Sequence, residues 1–281
     1  MEVPVLLVDG NNLLFRAAHG FGAAPILSRD QARDLTGAFG FFTLLRAAIR
    51  DEVPAPPEVV VAFDVEGGSA ARKLADPAYK ANRPDDPAAR RPLLSLPDVK
   101  AGLEMYGIGW VEPDGAEADD VIATLVHASH GRDRLVMSMD KDFYQLLDLP
   151  RVRVLNTALR PGDRLVGADR VHARHGVSPS QWACFRALSG DPSDNIPGVS
   201  GIGPKTAAAL LAGGLSVHDL PESGRLTGAK GTRVRDQFDQ LLAWREIIEL
   251  RTDVPLPRTL TGSPSPFLPP AAEVLDKLDL W

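Results

Sequence analysis

The sequence predicts an α/β fold with a central, mostly parallel sheet and an added helical lobe, and three observations predict it. Three short runs, Val3 to Val8, Val59 to Phe63 and Leu135 to Met139, are β-branched-rich and continuously apolar, as strands buried on both faces are. Helical stretches, Thr36 to Arg50, Leu96 to Tyr106 and Ala118 to His130, are interleaved with them in a βαβα order. Each apolar run also ends in an aspartate: Asp9, Asp64 and Asp140.

Between Asp64 and Leu93 the text changes to EGGSAARKLADPAYKANRPDDPAARRP, a basic insertion that reads as a functional loop, a lid or a disordered stretch. From about Leu155 the apolar strand runs stop, and helical segments broken by Gly and Pro follow. The expected division is therefore an α/β part over 1–160 and a helical lobe over 161–281. Near the end, PLPRTLTGSPSPFLPP is Pro-rich and extended, followed by a short helix from Ala271 to Leu280. No internal repeat is visible.

Composition narrows the function classes. With 281 residues, 44% hydrophobic, 24% charged and a mean hydropathy of -0.08, the chain has a core to bury and is no disordered polymer. The start, MEVPVLLVDGNN, lacks a basic region and a cleavage site. No stretch reaches the roughly 18 apolar residues that a membrane span needs, so membrane functions drop out. A single cysteine, Cys184 in the apolar WACFRAL, forms no internal disulfide and reads as core, which makes the cytoplasm the expected compartment. The net charge of -6 argues against a nucleic-acid partner until the acids are located. Nine of them gather in one site, and the remainder is slightly basic.

In parallel sheets ligands bind at the carboxyl ends of the strands, where Asp9, Asp64 and Asp140 fall. Any one alone reads as a helix cap; three together read as a site. GAEADDVIATL places Glu117, Asp119 and Asp120 at the opening of a helix, more acids than capping needs. MDKDF puts Asp142 on the same side as Asp140, since alternate residues of an extended strand share a face. SGDPSDN adds Asp191 and Asp194, for which an Asx-turn is the plain alternative. Carboxylates gathered this way repel unless a cation neutralises them, and oxygen-only donors select Mg²⁺ or Mn²⁺ over Zn²⁺. Two such ions point to phosphoryl transfer. The six histidines share no spacing with the acids and read as structural or surface residues.

NIPGVSGIGPKTAAALLA carries Gly198, Gly201 and Gly203, then Lys205 and Thr206 at the start of a helix. A dinucleotide fingerprint would need a preceding strand and a later acid, and a P-loop would need Gly-Lys-Ser/Thr. The stretch fits a helix-hairpin-helix, whose glycines let backbone amides approach phosphates and which could also bind K⁺. A tight turn between packed helices is the bland alternative.

Taken in order, VDGNNLLFRAAHG, VAFD, YKANRP, GAEADDVIATL, SMDKDFYQLL, LSGDPSDNIPGVSGIGPKTAAALL and ELRTDVPL closely resemble the 5' nuclease family over nearly the whole chain. That family comprises the 5'-3' exonuclease domain of bacterial DNA polymerase I and its flap-endonuclease relatives. The resemblance implies a PIN-like domain with a helical arch over 65–93 and a helix-three-turn-helix at about 185–220. It implies Asp9, Asp64, Glu117 and Asp119 as ligands of a first metal, Asp140, Asp142 and Asp194 of a second, and Asp120 and Asp191 around them. Tyr79, Lys80 and Arg83 match the arch signature, with Arg72 at the basic position upstream; Lys80 is expected on the scissile phosphate, with Arg72 beside it in the catalytic set, and Arg16, which matches a basic position near the DNA, joins Tyr79, Lys80 and Arg83 as an expected DNA contact. Departures occur too: the stretch before Arg72 is one residue longer than usual, Lys73-Leu74 replaces His-Glu, and Ala18 replaces an aromatic.

The activity implied is Mg²⁺-dependent hydrolysis of DNA by a two-metal mechanism, at 5' ends and at flap, nick and gap junctions, in replication and repair. No polymerase follows Trp281 in the sequence, so the expectation is either a free-standing enzyme, with a DNA polymerase acting in trans as a partner, or an isolated domain, and the expected place is the cytoplasm, with the nucleoid. Two rivals stand beside this reading: a catalytically silent junction-binding protein and a PIN-class ribonuclease.

Overall fold

The computed structural model describes residues 2–20, 24–84, 86–256 and 258–281. β1 (Val5–Asp9) leads straight into α1 (Gly10–Gly20), and α2 (Thr36–Glu52) and β2 (Glu58–Ala62) follow. The basic insertion forms two short helices, α3 (Ala70–Ala75) and α4 (Pro87–Arg90), and a 3₁₀ turn at Arg91–Ser95. After α5 (Leu96–Met105), β3 (Gly109–Val111) and α6 (Ala118–Ala128), the chain forms β4 (Arg134–Met137), a 3₁₀ turn at Asp142–Leu146, β5 (Val152–Leu155) and β6 (Leu165–Val166). The helical lobe holds α7 (Ala168–His175), α8 (Trp182–Ser189), α9 (Pro204–Leu211), α10 (Gly228–Asp236) and α11 (Phe238–Ile248), and α12 (Ala271–Lys277) ends the order.

The six strands lie in the order β3-β2-β1-β4-β5-β6, parallel except for β6. β1 is uniformly apolar because both its faces are covered. Val5 and Leu7 enter one core with Val60, Val136 and residues of α6, α8 and α11; Leu6 and Val8 enter the other with Val61, Met137 and residues of α1, α2, α5 and α12. Since β1 pairs in parallel register with both β2 and β4, the aspartates that follow these strands arrive at one edge of the sheet. The turn from β1 into α1 admits only glycine: a Cβ on Gly10 would lie 2.4 Å from the Phe63 ring and 2.8 Å from the Ala62 carbonyl oxygen.

All three expected strands and three expected helices form. β3, β5 and β6 escape the apolar-run criterion, being three residues, a strand interrupted by exposed Arg153, and two residues. The division at 160 is one of sequence character only, because the sheet continues to Val166. The C-terminal stretch also returns to it: Ser265 donates its N–H to the Pro57 carbonyl at 2.9 Å and accepts from Val59 N–H at 2.9 Å, and α12 packs on α2. Among the described residues no helix is long and apolar enough to cross a membrane.

Candidate metal and nucleic-acid site

A cleft of about 940 Å³ opens at the carboxyl edge of the sheet, walled by Asp9, Asp64, Glu117, Asp119 and Asp140 together with Lys80 and Arg83. Three of these wall acids also do local work. Asp9 accepts from Asn12 N–H at 3.0 Å, capping α1, and from Ser138 Oγ at 2.8 Å. Asp64 accepts from Ala118 N–H at 2.9 Å, joining β2 to the start of α6, while Asp140 accepts from Asp142 N–H at 2.9 Å. Capping thus coexists with convergence.

Burial, then the neighbouring charge of Asp64, pushes the Asp9 carboxyl up to about 7. Burial likewise raises Asp64, Asp119, Asp140 and Asp142, with other carboxylates adding to it: Glu117 for Asp64 and Asp119, Asp194 for Asp140, and Asp140 for Asp142. Glu117 moves the other way. Against its burial, Lys80 and Arg72 hold it below the usual carboxylate range. Asp191, despite burial, is held down by Ser193 and Arg186, whose Nε donates to it at 3.1 Å.

Asp142 lies on the 3₁₀ turn, buried, and accepts from Trp182 Nε1 at 3.2 Å. The charges of Asp191 and Asp194 add to the rise of both Asp140 and Asp142, which marks a second group beside Asp64, Glu117 and Asp119. Asp120 stands apart from the cleft. It is buried, accepting from Arg72 Nη2 at 2.7 Å and from Arg251 N–H at 2.9 Å.

The basic insertion is folded down on these acids. Lys80 Nζ donates to Glu117 Oε1, and Lys80 N–H donates to the Asp194 carbonyl at 3.0 Å. Arg83 pairs with Asp194 at 2.9 Å. Asn82 Nδ2 donates to the Pro192 carbonyl at 2.8 Å, and Asn195 Nδ2 to the Ala78 carbonyl at 2.7 Å, so the insertion is stitched to loop 191–196. Tyr79, expected at the DNA, is instead 3% exposed and donates its hydroxyl to Glu117 at 3.1 Å; its aromatic ring is large enough to earn a place in the core. Arg72 lies off the cleft lining and binds Glu117 and Asp120. Arg16, on α1, is half-buried, with Nη1 against Met139 Sδ at 3.8 Å.

Loop 191–196 leads into the glycine-rich turn between α8 and α9. Gly198 has φ 70°, and a Cβ there would lie 2.3 Å from Gly190 N, so the turn closes on the end of α8 through glycine alone. Gly201 has φ 78° and sits over Arg233; Gly203 caps α9, and Lys205 and Thr206 lie in its first turn. Two bases absent from the motif reading belong here: Lys230 donates to Thr206 Oγ1 at 3.0 Å, and Arg233 to the Ser200 carbonyl at 3.4 Å. They come from α10, over twenty residues away, with no local signal linking them to the turn.

Among the described residues no three acids stand close enough to enclose an ion as they are; Arg72, Lys80, Arg83 and Arg186 occupy several of them. The donor set nevertheless fits hard divalent cations: every donor is a carboxylate oxygen, and a cation would offset both the burial that raises these acids and the repulsion between them that adds to it.

The chain matches the family described as 5'-3' exonuclease, N-terminal resolvase-like domain, over residues 4–176, and 5'-3' exonuclease, C-terminal SAM fold, over 177–265. Thermostable DNA polymerase I of Thermus aquaticus is 36% identical over 256 residues, covering 90% of this chain and 29% of that protein. DNA polymerase I of Bacillus subtilis is 35% identical over 265 residues, 92% of this chain and 28% of that protein. The chain thus spans under a third of the length of these relatives. Among solved structures, the bacteriophage T5 5'-exonuclease with bound zinc superposes with a TM-score of 0.70 at 24% identity, over 89% of this chain and 90% of that one. The bacteriophage T5 flap endonuclease in complex with DNA and metal ions gives 0.69 at 23%, over 89% and 90%. With the two family models matching in tandem on a parallel sheet and a helical lobe, this chain belongs to the 5'-3' exonuclease family.

Proposed function

We propose that the chain is a structure-specific, metal-dependent 5'-3' exonuclease and flap endonuclease that hydrolyses DNA phosphodiesters in replication and repair. One observation carries it: five carboxylates and Lys80 wall a single cleft, and loop 191–196 ties that cleft to the glycine-rich turn. The nine acids are proposed as the metal site, Asp120 and Asp191 from behind it. Two divalent ions, Mg²⁺ with Mn²⁺ as a substitute, would supply Lewis acidity and an activated water.

The chain's own residues do the rest. Lys80, already charged and aimed into the cleft, stabilises charge developing on the phosphate once Glu117 releases it. Arg83 lines the same wall for the flanking phosphate. The amides of the turn, with Lys205 and Thr206, grip a duplex backbone without reading bases, and K⁺ is proposed at this turn. Arg16 and Tyr79 complete the proposed DNA surface, Tyr79 by leaving its buried position. A DNA polymerase acting in trans and a cytoplasmic, nucleoid-associated location belong to the same proposal.

The test is cleavage of a 5'-flap duplex labelled at both ends of one strand, with Mg²⁺, with EDTA, and with Asp140→Ala. Junction cleavage that needs both metal and Asp140 supports the proposal. Tight binding without cleavage replaces it with a silent junction-binding protein, and exclusive cleavage of an RNA flap replaces it with a ribonuclease. Polymerase recruitment is tested by pull-down with purified polymerase, and location by imaging a tagged chain, where a membrane or exported signal would reject it.

A further inference from the structure

ELRTDVPL enters the sequence resemblance without a task, and the structure gives it one. As the chain leaves α11, five consecutive residues have main-chain groups bonded to three side chains from elements that bear the acids. The Ile247 carbonyl accepts from Arg72 Nε at 2.9 Å, the Ile248 carbonyl from Gln145 Nε2 at 3.0 Å, and the Glu249 carbonyl from Arg72 Nη2 at 3.4 Å. Leu250 N–H donates to Gln145 Oε1 at 3.2 Å, and Arg251 N–H to Asp120 Oδ1 at 2.9 Å. The last carbonyls of a helix lack internal partners and could take water. Here they take a guanidinium and an amide, and Ile247, Ile248 and Leu250, each under 10% exposed, anchor the segment in the core.

The two clamping side chains reach opposite halves of the acid site. Arg72 also holds Glu117 and Asp120 at the start of α6. Gln145 lies three residues after Asp142 on the same 3₁₀ turn. Of the five guanidinium N–H groups, four make the bonds to Ile247, Glu117, Asp120 and Glu249, which leaves Arg72 no fork for a phosphate.

We infer that residues 247–251 form a strap that fixes the spacing between the Glu117 side and the Asp142 side of the site, with Gln145 and Arg72 as its positioning residues. This rests on the nuclease reading, with Arg72 acting through the carboxylates and not on the substrate. Since α11 packs on α8, which leads into the glycine-rich turn, the strap also joins the spacing of the acids to the lobe that would hold the duplex.

The experiment compares Gln145→Leu, Gln145→Asn and Arg72→Lys with wild type in two readouts: calorimetric titration of the DNA-free protein with Mn²⁺, and kcat and KM on a flap duplex. Expected for Gln145→Leu is a loss of about tenfold or more in affinity for the weaker ion and in kcat, the range typical of residues that orient ligands. KM and duplex affinity should stay within about twofold, and Gln145→Asn, which keeps both hydrogen-bonding groups on a shorter arm, should fall between. Arg72→Lys, which keeps the charge and loses the fork, should match Gln145→Leu. Wild-type ion binding and kcat in Gln145→Leu and Gln145→Asn would overturn the strap, as would a rise in KM equal to the fall in kcat, which would make the segment a DNA contact. Should Gln145→Leu fail to fold, the other two decide. A wild-type protein that binds Mn²⁺ but cuts nothing would defeat the nuclease reading, while the ion titration would still judge the strap.

Discussion

Lys80 and Glu117 form an ion pair between the basic insertion and the N-cap of α6, and Lys80 does so from a left-handed backbone, φ 56°. A residue with a side chain holds that conformation only where its surroundings insist on it. The insistence comes from Asp194, whose carbonyl takes the Lys80 N–H, and Glu117, which takes the ammonium. Glu117 and Asp194, with Asp119, outweigh burial and keep Lys80 charged.

That pair predicts a split in kinetics. Lys80→Ala should lower single-turnover cleavage about 10²-fold or more while duplex affinity stays within about twofold, because the ammonium is preorganised for charge that develops during reaction. Gel-shift and rapid-quench measurements on one substrate check this. Equal losses in both would make Lys80 an anchor.

The ion-free protein should lose stability as pH rises from about 4 to about 7. Asp9, with an ordinary value of 3.8, titrates near 7 in the fold. Between those values the folded state holds a proton on Asp9 that the unfolded chain has released, so the contribution of Asp9 to stability falls as pH rises through this interval. Thermal melts in EDTA should show the decline, Asp9→Asn should flatten it, and Mg²⁺ should offset it by binding the ionised site. A melting temperature that rises over this interval would contradict the assignment.

Gly198→Ala should destabilise the protein by about 2–4 kcal/mol, since the new Cβ would meet backbone of Ser189 and Gly190 at a positive φ. Gly203→Ala is the control, with φ -87° and no atom within 4 Å of the added carbon. Denaturant melts of both, together with duplex affinity, check the pair. Wild-type stability in Gly198→Ala would show that the turn tolerates a side chain there.

Lys205→Ala should weaken duplex binding and reduce the slope of log affinity against log salt by about 1, the loss of one phosphate contact. Fluorescence anisotropy at several salt concentrations measures it. An unchanged slope would remove Lys205 from the interface.

The sheet was legible because strands buried on both faces are apolar throughout, and the parallel order brought Asp9, Asp64 and Asp140 to one edge. The acids could be read for the same reason: too many of them cluster at strand and helix ends for capping to explain. The buried settings of Tyr79 and Arg72 were not legible, because a Tyr beside Lys and Arg in a basic stretch looks like solvent-facing text, and nothing local announces that both bind Glu117. Gln145 sits inside SMDKDFYQLL, yet nothing local announces its task, since its partners are main-chain groups more than 100 residues away.

The stitching of the insertion to loop 191–196 has a geometric consequence. The same short loop fastens Lys80 on one side and runs into the glycine-rich turn on the other, so the interval between the proposed duplex grip and the proposed cutting point is a fixed length of folded protein. It works as a gauge. Products from flaps of differing length should therefore end at one nucleotide position relative to the junction, and loosening the stitches through Asn82→Ala with Asn195→Ala should blur that position into several.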